Sequence, residues 1–376
     1  MRERQELGAP ARHRHCHAAA PLTSPRGVRA AATPAQPPSA SEPCLITGAS
    51  GFIGGRLAAR MAAADRPLRC LARASSDVSA LVALGLPIVH GDLTEASSLA
   101  AAVDGCGRVV HCAALVSDWA TVAEIRAANV TGTRNLLDAA AQAGVARFVH
   151  ISSTDVYGHP GGGGVSESWL PRGFSNWYAQ TKLEAEDEVR RVSAKGRPEA
   201  VVLRPATVYG PGSSDVVGEI ARAIRGGRMT LIGGGEAIAG LCYVENLIDA
   251  ILLALDEPAA AGGTFNLSDG LDVSWRRFTA DLAAGLGCPP PRLNIPYLPA
   301  AALGVALEGG YRLLRRATGL TTSPLLSRQA VQVLGRDQDF DTAAARMTLG
   351  WHPRAGYAEA LAATVAWLRD QELSAG

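Results

Sequence analysis

Tyr178-Ala179-Gln180-Thr181-Lys182 sets a phenol and an ammonium four residues apart, a spacing that turns both to one side of a helix. An ammonium beside a phenol lowers its pKa, so Tyr178 is expected to pass a proton to or from an alcohol with Lys182 tuning it. The pair alone also describes an ordinary solvated helix face. Two upstream stretches make it specific. Ser152-Ser153 closes an apolar run at 148–151, where the Ser153 hydroxyl can hydrogen-bond a reacting oxygen and hold it beside a nicotinamide. Thr47-Gly48-Ala49-Ser50-Gly51-Phe52-Ile53-Gly54 follows the apolar Cys44-Leu45-Ile46 and opens a helical pattern at 56–64. In such a turn the glycines allow a sharp bend, backbone approach to a pyrophosphate, and close helix packing, while the helix N-terminus favours phosphate charge. Gly48, Ser50, Gly51, Phe52, Ile53 and Gly54 are therefore expected at a dinucleotide.

The elements that must position these residues are short apolar runs at 68–72, 87–90, 108–112, 148–151 and 201–203. Helical stretches lie between them, notably 123–143 and 177–192. Continuous apolar strands alternating with helices predict an α/β fold, a Rossmann-type doubly wound parallel sheet covered on both faces. After Pro205 the alternation loosens, and helices near 245–255, 275–286, 300–318 and 357–373 predict a smaller, mainly helical C-terminal substrate lobe. The expected division is a disordered extension at 1–40, a dinucleotide-binding domain at 41–210, and a substrate-binding lobe at 211–376 with some return to the Rossmann domain. Gly161 to Gly164 is expected to be a mobile loop near the cleft.

Strand ends supply further cofactor candidates. Arg73 stands where an acid would bind the ribose hydroxyls of NAD, and with Ser75 and Ser76 it could hold a 2′-phosphate; an exposed loop arginine is the equal alternative. The missing acid tilts the expectation slightly from NAD towards NADP. Asp92-Leu93 ends the third strand, within reach of an adenine amino group. Ala113-Ala114 ends the fourth with small residues against which a flat cofactor can lie.

Composition narrows the classes. A net charge of +1 gives no reason to invoke nucleic acid, and 47% hydrophobic residues suffice for a sizeable core. Seven scattered cysteines without a Cys-x-x-Cys pair read as reduced thiols, and no uncharged apolar run is long enough to span a bilayer; the expectation is a soluble, cytoplasmic protein. Residues 1–40, rich in Ala, Pro and Arg, read either as a transit segment or, preferably, as sequence upstream of a true start near Ser41. His13, His15, Cys16 and His17 would make only an adventitious metal site there, so no metal is expected. The stretch 299–316, apolar with Arg312, Arg315 and Arg316 at its end, reads as a lobe helix with a cationic last turn, or as a peripheral membrane contact.

Taken together, these pieces resemble the extended short-chain dehydrogenase/reductases, the NAD-dependent epimerase/dehydratase superfamily, over about 43–368. The likeness rests on Thr47 to Gly54, Gly91-Asp92-Leu93, Ala113-Ala114, Asn129-Val130-Thr131-Gly132-Thr133, Ser152-Ser153, Tyr178 with Lys182, and Arg204-Pro205-Ala206-Thr207-Val208-Tyr209-Gly210. It implies Ser153, Tyr178 and Lys182 as the catalytic trio, with Lys182 also on the nicotinamide ribose. Asn129 joins the cofactor residues, and Pro205 and Val208 line the nicotinamide. Nucleotide-sugar members usually carry an arginine just before the Tyr-Val pair; Ala237 to Val244 has no base, and Thr154-Asp155 departs from the Asp-Glu of sugar dehydratases. Tyr243-Val244-Glu245-Asn246 and His111 to Trp119 instead resemble the 3β-hydroxysteroid dehydrogenase branch. The implied activity is NAD(P)-dependent interconversion of a secondary alcohol and a ketone on a small apolar substrate, a sterol or acyl ketone. Trp119, Trp169, Phe174, Trp177, Leu241, Tyr243 and residues 299–314 would face that substrate. The alternatives are a nucleotide-sugar epimerase and a dinucleotide-sensing regulator without catalysis. The family likeness also implies a homodimer through 123–143 and 177–192.

Overall fold

Strand β1 (Cys44–Thr47) is followed by β2 (Leu68–Ala72), β3 (Ile88–His90), β4 (Arg108–His111), β5 (Arg147–Ile151), β6 (Glu199–Pro205), β7 (Thr207–Tyr209), β8 (Thr230–Ile232), β9 (Leu241–Tyr243), β10 (Thr264–Leu267) and β11 (Leu293–Ile295). This is a computed structural model, and it describes residues 41–116, 120–170, 176–318 and 327–375. Seven strands form one parallel sheet in the order β10-β6-β5-β4-β1-β2-β3. The order reverses between β1 and β4, and in open α/β sheets ligands bind at such a switch point, beyond the strands' C-terminal ends.

Continuous apolar strands do bury both faces. Leu45, Val109, Phe148 and Val202 pack beneath Leu99, Leu136, Leu137 and Val189. Their neighbours Ile46, Val110, Val149 and Val201 turn the other way, onto Leu57, Met61, Leu247 and Ile251. The second cluster continues without a break through Tyr209, Trp275, Phe278 and Trp351 to Leu368, and the described residues form one compact unit. After β6 the chain returns to the sheet through β10 and the helix Val244–Asp256, and adds two short parallel pairs, β7 with β9 and β8 with β11. The helical stretch at 123–143 is subdivided: Val122–Arg126, a widened π turn at Ala127–Thr131, then Gly132–Gln142.

Among the described residues no helix is long and apolar enough to cross a membrane. Residues 1–40 lie outside the described part, as do Trp119 and Phe174 and the side chains of Arg312, Leu314, Arg315 and Arg316.

Candidate active site

The glycine turn is built by close approach. Gly48 takes a left-handed φ of +69°, and a Cβ there would sit 2.8 Å from the Ala113 nitrogen, so β1 and the Ala113-Ala114 strip can meet only over a glycine. At Gly54 a Cβ would overlap the Gly48 carbonyl, which sets how near the helix Phe52–Ala63 starts. Gly51 is its N-cap and no side chain caps it, leaving its first N–H groups for a ligand over Ser50, Phe52 and Ile53. A cradle that a Cβ would fill, ending at an uncapped helix start, fits a dinucleotide pyrophosphate.

The walls of this cradle are fixed by neutral hydrogen bonds. Thr47 Oγ1 accepts from the Ala113 N–H at 3.3 Å and lies 2.7 Å from His111 Nδ1; His111 Nε2 lies 2.9 Å from Thr133 Oγ1. Burial, with Lys182 nearby, lowers the His111 pKa to about 3, so this bracket carries no charge. Asn129, expected at the cofactor, has its amide held within the chain. Its Oδ1 accepts from the Leu115 N–H at 2.7 Å, and its Nδ2 donates to Leu115 O and Thr181 Oγ1, so both amide protons are used within the chain. It ties the Ala113-Ala114 strip to the helix that carries Tyr178.

Asp92 lies half-buried beyond β3 with Oδ1 held by the Thr94 N–H and hydroxyl at 2.8 and 2.7 Å. Those bonds, and Arg73, hold its carboxyl below the usual range. Arg73 is exposed just past the end of β2, near enough for its charge to be felt at Asp92. Leu93 accepts from Asn135 Nδ2 and packs where a Gly132 Cβ would be. Pro205 ends β6, Val208 is half-buried in β7, and the following Gly212 runs over the Phe52 ring.

The residues expected to be catalytic come from two elements. Ser153 follows β5 and caps the short helix Thr154–Tyr157; its Oγ accepts from the Asp155 N–H at 3.1 Å, which leaves the hydroxyl proton to donate elsewhere. Asn176 caps the helix Trp177–Ser193 through a 2.7 Å bond from the Ala179 N–H, setting Tyr178 in its first turn. Lys182 lies one turn on, buried, and donates to the Ile151 carbonyl at the end of β5. The expected lowering of the Tyr178 phenol by Lys182 is not what this packing produces. Burial pushes the phenol above its ordinary value and Asp155 adds to the shift, while the Lys182 ammonium is turned to Ile151 O. Burial brings Lys182 itself down to about 8.

Two groupings at this site were not legible in the sequence. Asp155 Oδ2 accepts from Gln329 at 3.0 Å, and Oδ1 lies 3.5 Å from Nε2 of His159, a buried residue with a left-handed φ of +52°. Behind Lys182, Glu186 pairs with Arg204. The substrate side differs from expectation as well. Leu241 and Tyr243 are core, Tyr243 packing against Tyr209 with ring centroids 5.5 Å apart, because β9 pairs with β7 inside the molecule. Asn246 is a structural clamp: it donates to Asp269 and accepts from the Arg354 and Ala355 N–H groups. Trp169, Trp177, Leu298, Leu303 and Val305 are exposed.

Residues 44–268 match the family model described as the NAD dependent epimerase/dehydratase family. The chain belongs to that family. Its members are nicotinamide-dependent enzymes, and this chain is accordingly an NAD(P)-dependent dehydrogenase/reductase-type enzyme acting at CH–OH groups. It is 32% identical over 319 residues to the 4-hydroxy-2-methyl-3-oxo-4-farnesyl-3,4-dihydroquinoline-1-oxide ketoreductase of Stigmatella aurantiaca, covering 84% of this chain and 94% of the relative. It is 31% identical over 323 residues to the 3 beta-hydroxysteroid dehydrogenase/Delta 5→4-isomerase of Mycobacterium tuberculosis, covering 82% and 85%. Among solved family structures, MoeE5 in complex with UDP-glucose and NAD superposes with a TM-score of 0.69 at 28% identity, over 88% of this chain and 99% of that one.

Proposed function

We propose that the chain reduces a ketone on a largely apolar substrate, with Tyr178 as proton donor. The observation that carries this reading is the helix capped by Asn176, which sets Tyr178 one turn before Lys182, whose ammonium donates to the Ile151 carbonyl two residues before Ser153. A bound reduced nicotinamide supplies the hydride. As charge grows on the carbonyl oxygen, the Ser153 hydroxyl donates to it and Tyr178 Oη hands over its proton. Lys182 holds the helix against β5 and keeps a positive charge beside the developing anions. The reverse oxidation uses the same groups with the proton returned to Tyr178.

The apolar substrate class is supported by the ketoreductase and sterol-converting names of the relatives and by the absence of any basic residue in 237–244. Burying a diphosphate without cations costs several kcal/mol per unpaired charge, whereas burying apolar surface returns about 25 cal/mol per Å². NADP(H) is proposed to bind at least as well as NAD(H), because Arg73 replaces the usual ribose-binding acid. The test is NAD(P)H consumption with a panel of sterol ketones, long acyl ketones and UDP-sugars, each also scored for protection against thermal unfolding. Turnover and protection by apolar ketones are expected. Protection by UDP-sugars alone would replace this reading with the epimerase.

A further inference from the structure

Of the 36 basic residues only two are lysines, Lys182 and Lys195, and Lys182 is buried to 3% exposure. A buried ammonium loses its proton readily unless an anion faces it. The groups around Lys182 are few. From the β4 end come His111, held neutral, and Cys112, whose thiol burial pushes up to about 12; from β5 come the neutral His150 and the Ile151 carbonyl. From its own helix come Tyr178, a neutral phenol, and Glu186, one turn further on and fully buried. Glu186 is thus the one anion among the described groups acting on this lysine.

We propose that Glu186 is a positioning residue for Lys182, the carboxylate that keeps the lysine charged and aimed at the end of β5. Its surroundings are built to keep it ionised. Arg204 on β6 donates Nε and Nη2 to the two carboxylate oxygens at 2.9 and 2.6 Å, Ser152 Oγ donates at 2.6 Å, and Arg190 at 3.1 Å. Burial opposes ionisation of Glu186, but these bonds and charges outweigh it and hold the carboxyl below its ordinary value. Arg204 is fixed in turn, donating at 2.7 Å to Tyr157 Oη, which donates at 2.6 Å to Asn266 Oδ1. As a stabilising device such a buried pair roughly breaks even with an apolar pair of the same volume. Beside the catalytic lysine it has a use. Ser152 belongs to the same cluster, so the arrangement also fixes the backbone that presents Ser153.

The importance of Lys182 rests on the proposed function, but its charge state can be read without substrate or cofactor. With lysine labelled by carbon-13 at Cε, the protein gives two signals, assigned with Lys195→Arg. Lys182 is expected to titrate near 8 in the wild type and at least about one pH unit lower in Glu186→Gln. The high-pH limb of ketone reduction should move down in parallel. Because Glu186→Gln leaves Arg204 unpaired, Glu186→Asp, which keeps the carboxylate charge, is measured beside it and should hold the Lys182 signal closer to wild type than Glu186→Gln does. A Lys182 signal that stays within about 0.3 unit of wild type in folded Glu186→Gln overturns the proposal. A shifted signal with no ketone turnover in the wild type upholds it and counts against the functional reading instead.

Discussion

Tyr178 and Lys182 sit one turn apart on one helix, and desolvation moves both pKa values against the charged form: the phenol up and the ammonium down to about 8. The pH dependence follows directly. Tyr178 keeps its proton across the working range, whereas Lys182 loses its charge as pH rises through about 8, so reduction should hold below that pH and decline above it. A rate profile flat to pH 10 would remove the Lys182 charge from the mechanism. Arg73→Ala tests the cofactor end. Losing one charge-assisted contact to a 2′-phosphate costs on the order of 1.5–3 kcal/mol, so NADP(H) affinity should fall about tenfold or more while NAD(H) affinity holds. Equal titration curves before and after the substitution would take Arg73 out of the site.

At the scale of elements, β1 to β5 and the helix Trp177–Ser193 were legible because each is a continuous apolar run or a capped, periodic stretch; β2 coincides with the run at 68–72. The short strands β7, β8, β9 and β11 were not, since their pairing joins segments distant in sequence. The same cause misplaced Leu241 and Tyr243, whose apolar character fits a cleft as well as a core. Tyr178 and Lys182 stood out by their spacing, but what Lys182 touches depends on where its side chain points, which spacing does not show. Gly48 gives the sharpest element-level prediction. Gly48→Ala adds a Cβ against Ala113 at a left-handed φ, so it should destabilise the fold by about 1–3 kcal/mol and abolish measurable cofactor binding. Wild-type melting and cofactor titration in that variant would contradict the cradle described.

Across the whole molecule, the core passes from the sheet into the C-terminal residues without interruption, and Asn246 with Asp269 and Trp351 ties the two regions together. Asp269 sits in that joint with its pKa raised to about 6, chiefly by burial and against the bonds from Asn246 and Tyr243 N. A raised carboxyl pKa means the folded chain holds a proton that the unfolded chain releases. Stability should therefore fall as pH rises from about 4 to about 6, by at most about 3 kcal/mol, and level off above. Asp269→Asn should flatten that segment of the denaturation-versus-pH curve. An unchanged slope would place the titrating group elsewhere.

The central claim is that Tyr178 delivers the proton, and one substitution isolates it. Tyr178→Phe removes only the phenolic oxygen, so the melting temperature and cofactor affinity should stay near wild type while ketone turnover drops at least about a hundredfold. If the Phe variant consumes NAD(P)H with an apolar ketone at close to the wild-type rate, the site as described does not perform the reaction.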